Sequence, residues 1–328
     1  MRLIGCIPTA KFVTDLNLVR DITYALKTLK SSVLMFPEAG YSFDGTATKL
    51  PDSLGHFVKR LGVPLVTITT YGAFARDPLY NNLQRRRVPV TATMEYVLSP
   101  EEIAALPEEE IAAKITEKFS FDNFRWQQEH HVRIDEPFRA DFLNRLLYKC
   151  PACGVEGQTE GKGDTLRCHA CGKSWVLDEY GYLSATEGET EFSHIPDWMA
   201  WQRQAVREEL EQNNYLLDVA VEIYMLVDEK CLYHVGQGRL HHDKEGFHLT
   251  GCDGQIDYRQ DPLTSYTLNA DFNWYEIGDV ISIGNNRTLY YCFPKDTKDV
   301  ATKARLATEE LYEILSAQRK EKRLQATK

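Results

Sequence analysis

Long apolar runs are missing from this chain. Nowhere among its 328 residues do roughly 18 hydrophobic side chains follow one another uninterrupted, the length a helix needs to cross a bilayer. Met1-Arg2-Leu3-Ile4-Gly5 also lacks the basic-then-apolar profile of a secretory leader and reads as the entry to a core strand. The expectation is a cytoplasmic protein whose membrane contact, if it has any, is peripheral and at the inner face. Positive charge is in short supply too: 38 lysines and arginines stand against 48 aspartates and glutamates, a formal net charge of -10. That balance argues against nucleic acid as a partner, since an extended interface needs clustered cations, and it leaves room only for a local basic patch. Low-complexity tracts are absent as well. The chain is long enough for two domains, and for a small third one if a metal replaces its core.

What is present reads first as alternating strands and helices. Residues 3–7 form a short apolar run, and Leu18, Ile22, Ala25 and Leu29 then recur at helical spacing behind Asp15 as a cap. Residues 32–36 are a second apolar run, ended by Pro37. Leu54, Phe57, Val58 and Leu61 mark a helix that Gly62 stops. Residues 63–69 and 88–97 are strand-like, and Ser99-Pro100-Glu101-Glu102 opens a capped helix. Short connections between such elements imply right-handed crossovers, hence an α/β domain over 1–148 with a mainly parallel sheet and a ligand crevice beyond its strand ends. After a linker helix region, 181–215, the strict alternation of Val219, Val221, Ile223, Met225 and Val227 begins a different pattern. Further short strands and a last helix carrying Ala304, Ala307, Leu311 and Ile314 predict an antiparallel β domain over 216–320, pleckstrin-homology-like in shape.

Between these parts, at 149–180, lies a zinc-ribbon pattern. YKCPACG and LRCHACG place Cys150, Cys153, Cys168 and Cys171 as two CxxC pairs, each followed by a glycine, Gly154 and Gly172. In a CxxC turn both sulfurs reach one ion, and two such turns make a closed S4 site, the geometry of structural zinc. Rubredoxin-like iron fits the same ligands, and two pairs of reduced core cysteines or disulfides are the bland alternative. His169 reads as a spacer. The ribbon is either a staple for a segment too small to build a core or a binding module, to which Lys149, Lys162, Arg167 and Lys173 would lend charge. Cys6, Cys231, Cys252 and Cys292 form no motif and read as core residues in a reducing compartment.

One stretch carries a resemblance. Phe36-Pro37-Glu38-Ala39-Gly40-Tyr41-Ser42, with the Val63-Pro64 strand after the next helix, resembles the third and fourth blocks of the glycerolipid acyltransferases, the superfamily of 1-acyl-sn-glycerol-3-phosphate acyltransferase. The third block reads FPEGTRS in the family, and Gly5–Ile7 with Lys11 as a cation corresponds to the second block. The resemblance spans residues 1–97. It implies acyl transfer from an acyl-CoA or acyl-carrier-protein thioester to a lysophospholipid-like hydroxyl, in phospholipid synthesis, with the membrane surface close by. It also implies a substrate site of Lys11, Phe36, Pro37, Glu38, Gly40, Tyr41 and Ser42. Taken alone, Glu38 reads as a carboxylate capping a turn or pairing with a nearby cation; the ordered blocks turn the reading toward a site.

Two departures qualify this. Tyr41 stands where the family holds a phosphate-binding arginine. The family's base, a histidine in an HxxxxD block ahead of the others, has no counterpart, because no histidine precedes His56. The expectation is a catalytic His/Asp pair upstream of Met1, little activity in the chain as it stands, and an apolar face left uncovered. The HxxxxD spacings at His130–Asp135 and His248–Asp253 read as chance. The alternative is a non-catalytic scaffold for a lipid or partner, with a structural zinc ribbon.

Overall fold

Residues 5–7, 16–38, 40–227, 231–285, 288–295 and 299–326 are described in the computed structural model. Their contacts divide the chain into two units: Met1–Tyr41, Ala47–Tyr71 and Val90–Phe121 form one, and Ser42–Thr46, Gly72–Pro89 and Asp122–Lys328 the other.

In the first unit, helix Leu54–Leu61 turns Leu54, Val58 and Leu61 inward and ends where Gly62, at φ 59°, donates its N–H to Val58 O. These side chains meet Ile103, Ile111 and Ile115 from helices Pro100–Ala105 and Glu108–Phe119, and Leu98 from the preceding strand. Ser99 and Glu102 close the capping box that the sequence implies. The helices approach so closely that a Cβ on Gly55 would stand 2.2 Å from Glu108 O, which is why a glycine sits mid-helix. Strands β1 (Leu65–Tyr71) and β2 (Thr91–Leu98) pair antiparallel, Val66 opposite Tyr96 and Ile68 opposite Met94.

This corrects the expected parallel sheet. Every ladder among the described residues is antiparallel, and residues 32–36 carry no strand. Alternation reveals a strand but not its partner; that depends on where the connecting chain goes, and here 72–89 belongs to the other unit. The outer face of β1–β2 is apolar and open to solvent, with Val66, Ile68, Tyr96 and Met94 exposed, the last to 73%.

The second unit holds two antiparallel sheets. Strands β3 (Thr159–Lys162), β4 (Thr165–Cys168), β5 (Ser174–Leu177) and β6 (Leu183–Ala185) form the small one in sequence order. Strands β7 (Leu217–Val227), β8 (Cys231–Asp243), β9 (Gly246–Gly251), β10 (Ile256–Gln260), β11 (Asn269–Trp274), β12 (Gly278–Gly284) and β13 (Leu289–Pro294) form the large one, in the order β10-β9-β8-β7-β13-β12-β11. Helix Ile195–Glu211 and the terminal helix Val300–Ala326 complete it. One continuous core runs through all of them, from Leu166, Trp175 and Leu183 through Trp198 to Val221, Ile281 and Ala304.

The ribbon, linker and β-rich segments, expected as separate domains, therefore share a single interior. Residues 72–89 and 122–148, read as part of the first domain, also pack here: Tyr80, Phe124, Leu143 and Leu147 lie in that core. Asn81 Nδ2 donates to Phe138 O and Asp141 O at 3.0 Å, and Arg86 reaches Arg139 O at 2.9 Å. No described helix is long and apolar enough to cross a membrane.

Candidate metal centre and the 36–42 turn

Each CxxC segment folds the same way. Gly154 N–H donates to Cys150 O and Gly172 N–H to Cys168 O, both at 2.8 Å, and the two glycines take φ of 75° and 80°. A Cβ at either would meet nothing within 4 Å, so these glycines are there for the left-handed backbone and not for space. The turns bring the four sulfurs within 4.8 Å of one another, with Cys150–Cys171 and Cys153–Cys168 at 3.8 Å. Four sulfurs bound tetrahedrally at about 2.3 Å to one ion stand about 3.8 Å apart, and a disulfide would need about 2 Å. All four are free thiols, so the disulfide alternative falls and the set fits one metal ion.

The protein surrounds the cluster asymmetrically. Cys150 and Cys168 are buried and Cys153 and Cys171 exposed. Burial pushes the Cys150 and Cys168 thiols upward, whereas the backbone N–H of Lys173 holds Cys171 below the usual thiol range. A dication would remove the penalty on the buried pair by neutralising the thiolates that burial disfavours. His169 turns to Glu160 at 2.9 Å and is a spacer.

The first knuckle is clamped from behind. Lys149 N–H donates to Gln202 Oε1 and Trp198 Nε1 to Lys149 O, at 2.9 and 3.0 Å. Lys149 and Lys303 both lie between Glu156 and Glu209: Lys303 Nζ is 2.8 Å from each carboxylate, Lys149 Nζ 3.2 and 3.4 Å. This neutral square ties the ribbon to both long helices. Sequence reasoning missed it, since its members are scattered from 149 to 303. It also uses Lys149, while Lys173 pairs with Glu191 at 2.6 Å, so half of the ribbon's candidate basic patch is neutralised.

The 36–42 stretch is built more loosely. Glu38 Oε1 accepts from Thr48 Oγ1 at 3.1 Å and from Thr48 N–H at 3.4 Å, both within the first unit. Phe36 and Tyr41 are exposed, to 82% and 66%, and Pro37 is half-buried. Gly40 donates its N–H to Glu38 O at 2.7 Å. Ser42, in the second unit, donates its hydroxyl to Thr46 O at 2.6 Å. Lys11 and Ala39 lie outside the described residues.

The chain has nine histidines. Each has a hydrogen-bond or ring partner: His56 on Glu108, His130 on Trp126 O, His131 against Tyr180, His194 on Asp122, His234 on Glu222, His241 on Asp243, His242 on Tyr215, His248 on Asp257, and His169 as above. Asp135 lies beside Arg133 and His248 pairs with Asp257, so neither chance HxxxxD spacing forms a dyad. Compared with family models, curated proteins and solved structures, the chain matches none.

Proposed function

We propose that the chain is a metal-stapled protein of glycerolipid acyltransferase type, in which the turn at 36–42 binds the acceptor of an acyl group and the four cysteines hold one structural zinc ion. The observation that carries the acceptor reading is the half-free carboxylate. Among the described residues both bonds to the Glu38 carboxylate come from Thr48 and fall on Oε1, which leaves Oε2 to accept from a ligand hydroxyl, in a turn whose neighbours Phe36 and Tyr41 face solvent. The zinc reading rests on the closed four-sulfur set, which leaves no coordination position for chemistry.

In such a transfer the acceptor oxygen bonds to the thioester carbonyl carbon, the C–S bond breaks, and the hydroxyl proton ends on the departing thiol. A base must carry that proton. No histidine stands in the 36–42 sequence itself, and the reading assigned to this chain is acceptor binding with little or no turnover. Tyr41 offers one hydroxyl where relatives of the resembled family place a cation, which weakens the grip on phosphate.

The test is titration of the chain with glycerol 3-phosphate and a short-chain lysophosphatidic acid, alongside thiol release from acyl-CoA. Expected are saturable binding, a loss of about tenfold in Glu38→Ala from the missing charge-assisted bond, and tighter binding in Tyr41→Arg, without thiol release. Binding indifferent to Glu38→Ala would sink the acceptor reading. It would leave the scaffold reading, favoured by the tether that already engages Glu38. Catalytic thiol release would overturn the inactivity.

A further inference from the structure

The terminal helix outruns its core. Ile314 and Leu315 still pack against the interior, but every residue from Ala317 to Gln325 is exposed. At 1.5 Å per residue these nine residues carry the helix on by about 13 Å. Their sequence, AQRKEKRLQ, gathers Arg319, Lys320, Lys322 and Arg323 around a single Glu321, in a chain whose net charge is -10.

Arg319, Lys320 and Lys322 have no acidic residue three or four positions away, and the spacings 319/322, 319/323 and 320/323 set like charges beside each other. A helix segment whose cations repel one another gains nothing from standing alone. At 100° per residue the four cations share an arc of about 160°, and Leu324, 67% exposed, flanks it.

We propose that this tip, Arg319 to Leu324, is a docking site for an anionic lipid surface. The basic arc faces the head groups and Leu324 enters the interface beside it. A planar surface suits two turns of helix better than a nucleic acid does: a duplex would run on along a body of the same sign, and its phosphates offer Leu324 nothing. The proposal does not depend on the reading of residues 36–42.

Co-sedimentation of the full chain with vesicles tests it, comparing phosphatidylcholine alone with phosphatidylcholine containing phosphatidylglycerol. Binding is expected only to the anionic vesicles, falling as salt rises, and weakened on the order of a hundredfold in the triple variant Arg319→Glu, Lys320→Glu, Lys322→Glu. These positions are solvent-exposed, so the variant keeps its fold, checked by circular dichroism. Leu324→Ser weakens binding further at fixed charge. Glu38→Ala leaves it unchanged, which separates this test from the previous one. Equal binding to neutral vesicles, an undiminished triple variant, or tighter binding to an RNA or DNA duplex than to anionic vesicles would overturn the proposal.

Discussion

The knuckle around Cys150 and the turn around Glu38 are both short loops that present polar groups, yet they are anchored very differently. The knuckle has two left-handed glycines in its paired turns, buried Cys150 and Cys168, backbone bonds to Gln202 and Trp198, and a four-charge square behind it. The turn has one carboxylate leaning on one threonine. Several independent anchors fix the knuckle's geometry well enough to hold an ion at given distances, whereas among the described residues the Glu38 side chain is held by Thr48. The first arrangement suits a staple, and the second is what the proposed acceptor-binding role would need.

Depriving the four-cysteine cluster of the ion it is proposed to hold is expected to have the largest effect. Structural zinc contributes on the order of 10 kcal/mol to small modules, and here the ribbon shares its core with two fully buried tryptophans, Trp175 and Trp198, whose rings lie 5.0 Å apart. A chelator, or Cys168→Ser, is expected to red-shift tryptophan emission and abolish cooperative melting of the second unit. One zinc per chain by elemental analysis is expected beforehand. Lys303→Met comes next. It leaves Glu156 and Glu209 facing each other with Lys149 alone, a partly buried pair stripped of a cation, at a cost of about 2–3 kcal/mol in denaturant melts.

The two loops also differ in how far they can be read from the chain. The cysteine cluster is legible because its geometry lies within four residues at each knuckle, and CxxC with a following glycine specifies it locally. The β7 alternation at Val219 to Val227 is legible for the same reason. Which strands pair is not local: β1 and β2 are separated by a segment whose Tyr80 packs into another unit, and nothing in VPLVTIT announces that. The shared core is equally hidden, since Leu143, Trp175 and Ile281 are merely apolar until the fold brings them together. At residues 36–42 the motif names a resemblance, while the tether to Thr48, ten residues on, is a pair of hydrogen bonds of a kind that any turn could make.

Below these large effects, the glycines sharpen the contrast. Gly154 sits at φ 75° with open space where a Cβ would go, so Gly154→Ala costs backbone strain and nothing else, about 1–2 kcal/mol. Thermal melts of the metal-loaded protein measure it, and a neutral result would mean that the knuckle tolerates another backbone. Thr48→Val is smaller. It removes the Oγ1 donor to Glu38 but keeps the side chain's shape and leaves the weaker backbone bond, for a loss of about 0.5–1 kcal/mol.

Gly40→Ala is the smallest and most discriminating change. Gly40 does not adopt positive φ, and an added Cβ would rest 4.0 Å from Glu38 O, an ordinary contact. A residue compatible with the native backbone lowers the entropy of the unfolded chain, so the substitution is expected to be neutral or to stabilise by up to about 0.5 kcal/mol. Stability alone therefore gives this position no reason to be glycine. If Gly40→Ala melts like the parent but binds glycerol 3-phosphate several-fold more weakly, the bare backbone serves a ligand that approaches where a methyl would stand. If binding is also unchanged, the turn's glycine is incidental and the acceptor site loses its backbone wall.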